Sequence, residues 1–183
     1  GNDARNMLLQ SANTDWSIDT RMVCSRKPSG FSQYAGVVAY QDDDNFVRLV
    51  YRASFSRGGF GRRGSPGEQP GSVELMIEKE GDQQSSVALD MSGIIKDDNT
   101  LILRLVKKGD LYTASCSSDG ENFVAVGTSA VVLKDIKAGL IACDGTMPER
   151  FRGFRRFMPQ NNEPVTPFEV AFDYFHIENS GLK

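Results

Sequence analysis

The chain has 183 residues and a formal net charge of −3, a length that fits one domain able to bury roughly 70% of its unfolded surface. Its slight acidity offers no basic field for nucleic acid, and no apolar run is long enough to form a membrane-spanning helix. Three widely spaced cysteines and a single histidine fit neither a zinc cluster nor a disulfide framework.

Period-two alternation recurs along the chain. No window combines apolar residues at i, i+3, i+4 and i+7 with helix caps, so the sequence reads as all-β. In the first long strand Trp16, Ile18, Thr20, Met22 and Cys24 share one face. Ala35 to Ala53 then places two β-rich runs around the polar turn Gln41 to Asn45, which predicts a hairpin. Ser72 to Glu80 is a further strand with Glu74 and Glu78 on one face, and Leu101, Leu103 and Leu105 line one side of another. A second hairpin, Leu111 to Thr128, carries Asp119-Gly120, a strong local hairpin signal. Phe168 to Ile177 forms the last strand. About ten runs of this kind predict two antiparallel sheets packed into a β-sandwich. Cys24, Cys116 and Cys143 all fall in strands and are expected as buried free thiols. Two connections, Ser54 to Gly71 and Asp144 to Pro167, are longer than loops usually are.

A set of short motifs recurs in a telling order: Arg5-Asn6-Met7-Leu8-Leu9-Gln10, Asp15-Trp16-Ser17-Ile18-Asp19-Thr20, Gln33-Tyr34-Ala35-Gly36-Val37, Asp43-Asp44-Asn45-Phe46-Val47-Arg48-Leu49, Ser118-Asp119-Gly120-Glu121-Asn122-Phe123, Ala138-Gly139-Leu140 and Phe172-Asp173-Tyr174-Phe175. Together they resemble the C-terminal concanavalin A-like β-sandwich of glycoside hydrolase family 43 β-xylosidases and arabinofuranosidases. The resemblance implies a jelly-roll fold over the whole chain. It also implies an accessory role in which the module packs on a β-propeller catalytic domain and helps to form a pocket for a plant-type polysaccharide or oligosaccharide. A further edge strand or a catalytic domain is then expected ahead of the Arg5 segment. A periplasmic or extracellular setting is also implied, although the cysteines leave the cytoplasm open. The alternatives are a free-standing carbohydrate-binding module and a small glycosidase using Glu74 and Glu78.

The glycosidase alternative is weak on its own terms. Glu74 and Glu78 approach the E-x-D-x-E strand of concanavalin-like glucanases, but Met76 stands where that pattern has its aspartate, and a solvated strand face explains the glutamates equally well. For binding, Tyr40 and Phe46 flank the first hairpin turn as reachable sugar platforms, with Gln33 and Arg48 supplying hydrogen bonds to hydroxyls. Trp16, Tyr51, Tyr112, Phe123 and Tyr174 are further aromatic candidates, Trp16 being expected in the core. The long loops concentrate arginine and phenylalanine: Arg57, Phe60, Arg62 and Arg63 in the first, and Arg150, Arg152, Phe154, Arg155 and Arg156 in the second. They are expected to lie side by side and to engage an acidic glycan or a catalytic partner. No cofactor is implied beyond a structural calcium ion, for which Asp173 and the Asp42-Asp43-Asp44 run are candidates.

Overall fold

The computed structural model describes residues 6–29, 33–53, 71–92, 95, 99–144 and 167–179. Among them there is no helix, and eleven strands follow in order: β1 (Met7–Ser11), β2 (Trp16–Cys24), β3 (Gln33–Asp42), β4 (Asn45–Ala53), β5 (Gly71–Lys79), β6 (Asp82–Asp90), β7 (Thr100–Lys108), β8 (Leu111–Ser117), β9 (Val124–Ala130), β10 (Lys137–Asp144) and β11 (Val170–Asn179). They form a six-stranded sheet, β1-β10-β3-β4-β5-β6, and a five-stranded sheet, β11-β2-β7-β8-β9. Every neighbouring pair is antiparallel. This is the two-sheet sandwich that the alternation predicts.

The alternation works as expected in β2, where Trp16, Ile18, Thr20, Met22 and Cys24 are all buried. Opposite them on the other sheet lie Ala35, Val37, Ala39, Val47, Leu49, Tyr51, Val73, Leu75 and Ile77, and the two sets make one continuous core. Trp16 anchors it, donating its indole N–H to Ala12 O at 3.1 Å. Its ring meets Tyr112 edge-on at a centroid distance of 6.1 Å. Replacing a residue so enclosed with alanine costs about 3–5 kcal/mol. At Gly36 there is no room for a side chain: a Cβ there would lie 2.1 Å from the carbonyl oxygen of Leu49 on the neighbouring strand β4 and 2.9 Å from Leu103 Cδ1 of the facing sheet.

Both predicted hairpins form. In the first, Asp43-Asp44 is the two-residue turn between β3 and β4, and Asp42 Oδ1 accepts from Asp44 N at 3.0 Å and from Asn45 Nδ2 at 2.7 Å. The aspartate run therefore caps its own backbone. In the second the turn is wider than an Asp-Gly dipeptide requires, because Asp119 gathers its neighbours. Its Oδ1 accepts the amides of Glu121 and Asn122 at 2.9 and 2.8 Å, and Gly120 supplies the left-handed φ of 84°.

Unlike β2, strands β3, β4 and β5 are buried on both faces: Val38, Phe46, Val50 and Met76, with Ile141 of β10, are buried on the face that points away from the sandwich core. The near-continuous apolar runs of β3 and β4, with few polar interruptions, are what burial on both faces requires.

Candidate functional site

The register of β3, β4 and β5 builds the candidate site row by row on the outer face of the six-stranded sheet. Tyr40 opposes Phe46, which opposes Glu78; Val38 opposes Arg48, which opposes Met76; Val50 opposes Glu74; and Tyr34 opposes Arg52. Residues two apart on a strand share a face, so the aromatic and arginine candidates for binding and the two glutamate candidates for catalysis come together on one surface. Around them Met7, Leu9, Val38, Val50 and Ile141 supply an apolar frame.

Burial corrects the reading of β5 as a solvated strand face, since Glu74 is 8% and Glu78 6% exposed. Glu74 accepts from Arg52 Nη1 at 2.7 Å and from Ser86 Oγ at 2.5 Å. Burial pushes its pKa up, but the Ser86 and Arg52 hydrogen bonds and the nearby arginine charges outweigh that push and leave it below the ordinary carboxylate value. Glu74 is therefore held ionised. A glycosidase acid needs the opposite, a carboxyl kept protonated near neutral pH.

Arg48 occupies the centre of the face. Its guanidinium carbon lies 4.6 Å from the Tyr34 ring centroid and 5.9 Å from that of Phe46, both within cation–π range. Nη2 points at Met76 Sδ at 3.3 Å, and Nε is buried without a hydrogen-bond partner among the described residues. Desolvation raises the Tyr34 pKa, with the Arg48 charge acting against it. Arg48 thus binds the protein's own aromatics.

Three other expected binding residues have structural duties of their own. Phe46 is buried rather than reachable. Gln33, also buried, donates from Nε2 to Asp144 Oδ1 at 2.7 Å while its Oε1 accepts from Ser29 N at 3.0 Å and Arg26 Nη2 at 3.2 Å. It fastens the entry to β3 against the end of β10 and is not offered to a sugar. Tyr40 is half-buried, and its hydroxyl donates to Asp43 Oδ1 at 2.8 Å. Burial and the hydrogen bond to Asp43 push its pKa up to about 12. Arg57, Phe60, Arg152, Phe154, Arg155 and Arg156, and with them the expected pairing of the two long loops, lie outside the described residues.

Elsewhere, Asp173 forms an ion pair with Arg21 at a bulge between β11 and β2. A carboxylate so engaged is a poor calcium ligand, and among the described residues no group of acidic, His or Cys side chains has the arrangement to hold a metal. Tyr51 and Tyr112 are core residues. Phe123 carries the Arg104 guanidinium on its face at 3.9 Å, and Arg104 in turn holds Asp19 through two hydrogen bonds at 2.7 and 2.8 Å. Tyr174 is the exposed member of the aromatic set, at 42%. The sequence reading missed Tyr34 and Ser86 as members of the outer face. The Tyr34-x-Gly36-x-Val38-x-Tyr40 alternation held the signal for Tyr34, whereas Ser86 needs the β5–β6 register, which pairs it with Met76.

Residues 2–178 match the family described as Beta xylosidase C-terminal Concanavalin A-like domain. Among solved structures, the GH43 protein BlXynB from Bacillus licheniformis superposes with a TM-score of 0.64 at 14% identity, over 96% of this chain and 30% of that one. The xylan beta-1,4-xylosidase of Bacillus halodurans C-125 gives a TM-score of 0.58 at 15% identity, over 93% of this chain and 29% of that one. A protein of unknown function from Saccharomyces cerevisiae gives 0.63 at 14% identity, over 94% and 73%. At such identities the structural likeness speaks for the fold alone. A comparison with curated proteins finds no match. The chain spans about 30% of the length of the Bacillus structures.

Proposed function

This chain belongs to the family of β-xylosidase C-terminal concanavalin A-like domains, and from that premise we propose that it is an accessory module of a glycoside hydrolase. It packs on a β-propeller catalytic domain and helps to shape a pocket for a plant-type polysaccharide or oligosaccharide, in a periplasmic or extracellular setting. The observation that carries this reading is the family match over residues 2–178, to a kind of domain whose fold accounts for about 30% of the hydrolase structures it superposes on. The ionised Glu74, locked to Arg52 and Ser86, fits a module that leaves acid–base chemistry to its partner.

The test is hydrolysis of aryl β-xylosides and aryl α-arabinofuranosides by the chain alone, and again after mixing with the β-propeller catalytic domain from the same organism. The expected result is no turnover alone, a complex by size exclusion, and a raised kcat/KM in that complex. Turnover by the chain alone that disappears in both Glu74→Gln and Glu78→Gln would replace this reading with the small glycosidase. Failure to form a complex would also refute it.

A further inference from the structure

At one end of the sandwich, away from the outer face, a cleft of about 560 Å³ is lined by Asn13, Lys107, Gly109, Asp110, Leu133, Lys134, Asp135 and Ile136. Its size lies within the range of small-molecule sites. Lys107 is its unusual member. It follows Leu101, Leu103 and Leu105 on the inward face of β7, and its strand neighbours are Trp16 and Tyr112, both wholly buried. A lysine at that position is an inward-facing charge, only 8% exposed. Its ammonium makes no hydrogen bond with any described residue. Asp15 Oδ1, at 3.9 Å, lies beyond hydrogen-bond reach and already accepts Gly109 N at 2.8 Å.

Lys107 pairs with Asp15 across 3.9 Å as an ion pair without a hydrogen bond, and its side chain lines the cleft, so its three ammonium donors are suited to an acceptor that the cleft admits. The walls are preformed by three connections tied to one another. Ala12 N donates to Ile136 O at 2.8 Å and Val131 N to Asp110 O at 2.9 Å, while Lys134 N donates to Gln41 Oε1 at 2.8 Å. Gly109 and Asp135 sit at φ 56° and 48°, fixing the bends that open the cleft. Leu133 and Ile136 are buried, and Asn13, Asp110, Lys134 and Asp135 are exposed.

We propose that this cleft binds a sugar acid, a monocarboxylate rich in hydroxyls such as a uronic acid, with its carboxylate on Lys107. Charge-assisted bonds from the ammonium satisfy donors that the protein leaves open. Asp110 and Asp135, which only accept when ionised, accept hydrogen bonds from the ligand's hydroxyls, and Asn13 serves either kind of partner. Each feature of the cleft selects against another ligand class. A neutral sugar brings no anionic acceptor to Lys107, an inorganic phosphate carries its charge over the whole ion and cannot hold it away from Asp110 and Asp135 as a sugar acid with its carboxylate at one end can, and a metal ion meets the lysines. Among the described residues no aromatic ring lines the walls, so without stacking the affinity is modest, with Kd about 1 mM. This site stands apart from the accessory role and does not depend on it.

The test is calorimetric titration of the full chain with D-glucuronate, D-glucose and inorganic phosphate, paired with amide chemical-shift mapping. The expected result is saturable one-to-one binding of glucuronate that perturbs Gly109, Asp110 and Asp135, with glucose and phosphate at least about tenfold weaker. Lys107→Met, which keeps the apolar stem and removes the charge, should lower glucuronate affinity by at least about tenfold. Asp110→Asn, at the exposed mouth, should lower it several-fold without affecting the fold. Absence of saturable glucuronate binding up to about 10 mM by the folded chain would overturn the proposal, as would equal binding of glucose or of phosphate, or shifts confined to other surfaces. Should Lys107→Met fail to fold, the wild-type shift map and Asp110→Asn decide the question.

Discussion

Glu74→Gln removes the charge from a buried carboxylate paired with Arg52. The amide keeps nearly the same shape, so packing is preserved and the ion pair with Arg52, at 2.7 Å, is what changes. Hydrogen bonds to charged groups contribute about 1.5–3 kcal/mol, and breaking a fully buried pair costs about 3–5 kcal/mol. The Arg52 side chain is 23% exposed, so water takes up part of the loss and the lower range applies, about 2 kcal/mol. Urea unfolding followed by the fluorescence of Trp16, the sole tryptophan and wholly buried, measures it directly. The pH dependence gives the sharper check. The folded pKa of Glu74 lies below its ordinary value of 4.5, so its stabilisation is complete above that value and is lost as pH falls through the lower folded value. Glutamine does not titrate, and the gap between the two proteins should therefore be full at pH 7 and narrow progressively below pH 4.5. A variant as stable as the parent at pH 7, or a gap of the same size at pH 3, would refute the assignment of Glu74 as an ionised structural partner.

Thiol titration should separate the three cysteines. Burial pushes Cys24 up to about 12 and Cys116 up to about 11, so both should react only after denaturation, while half-buried Cys143 reacts in the native protein. Gly36→Ala forces a methyl against the Leu49 carbonyl; it should cost about 3 kcal/mol and lower the Tm by roughly 6–12 °C, as read by calorimetry. Asp119→Ala removes the shared acceptor of the second hairpin turn, and the amides of Glu121 and Asn122 should then exchange faster with solvent than those of β8 do.

The sandwich was legible in the sequence because its signals are local. The period-two face of β2, the aspartate turn after β3 and the Asp119-Gly120 hairpin each depend on residues a few positions apart. The state of the candidate site depended instead on register between distant segments. Glu74 reads as a solvated residue until β4 and β6 bring Arg52 and Ser86 to its carboxylate. Gln33 and Arg48 read as sugar donors until Asp144 claims the first and Tyr34 and Phe46 flank the second. Cys143 shows the same limit: it lies in a strand as expected, but near the end of β10, where cover is thinner, and it is half-buried like its register partner Tyr34. Lys107 was overlooked because a lone lysine ending an apolar alternation resembles the solvated end of a strand, and only its pairing with Trp16 and Tyr112 turns it inward.

The strand order has a consequence for how the molecule is made. β2 is held between β7 and β11, and β10 lies between β1 and β3, so strands from opposite ends of the chain are neighbours in both sheets. No contiguous half of the sequence contains a finished sheet. On the ribosome, β2 must wait for nearly the whole domain before β11 can cover its edge, and β1 has no partner until β10 emerges. A nascent chain in this interval displays open edges and apolar faces, the state most prone to pair with another copy. Its folding should accordingly be slow for its size, as pairing between distant strands is. Whatever domain is translated with it, the sandwich closes only once β11 has emerged, and recombinant yield should depend more on temperature and chaperone supply than on the stability of the finished fold.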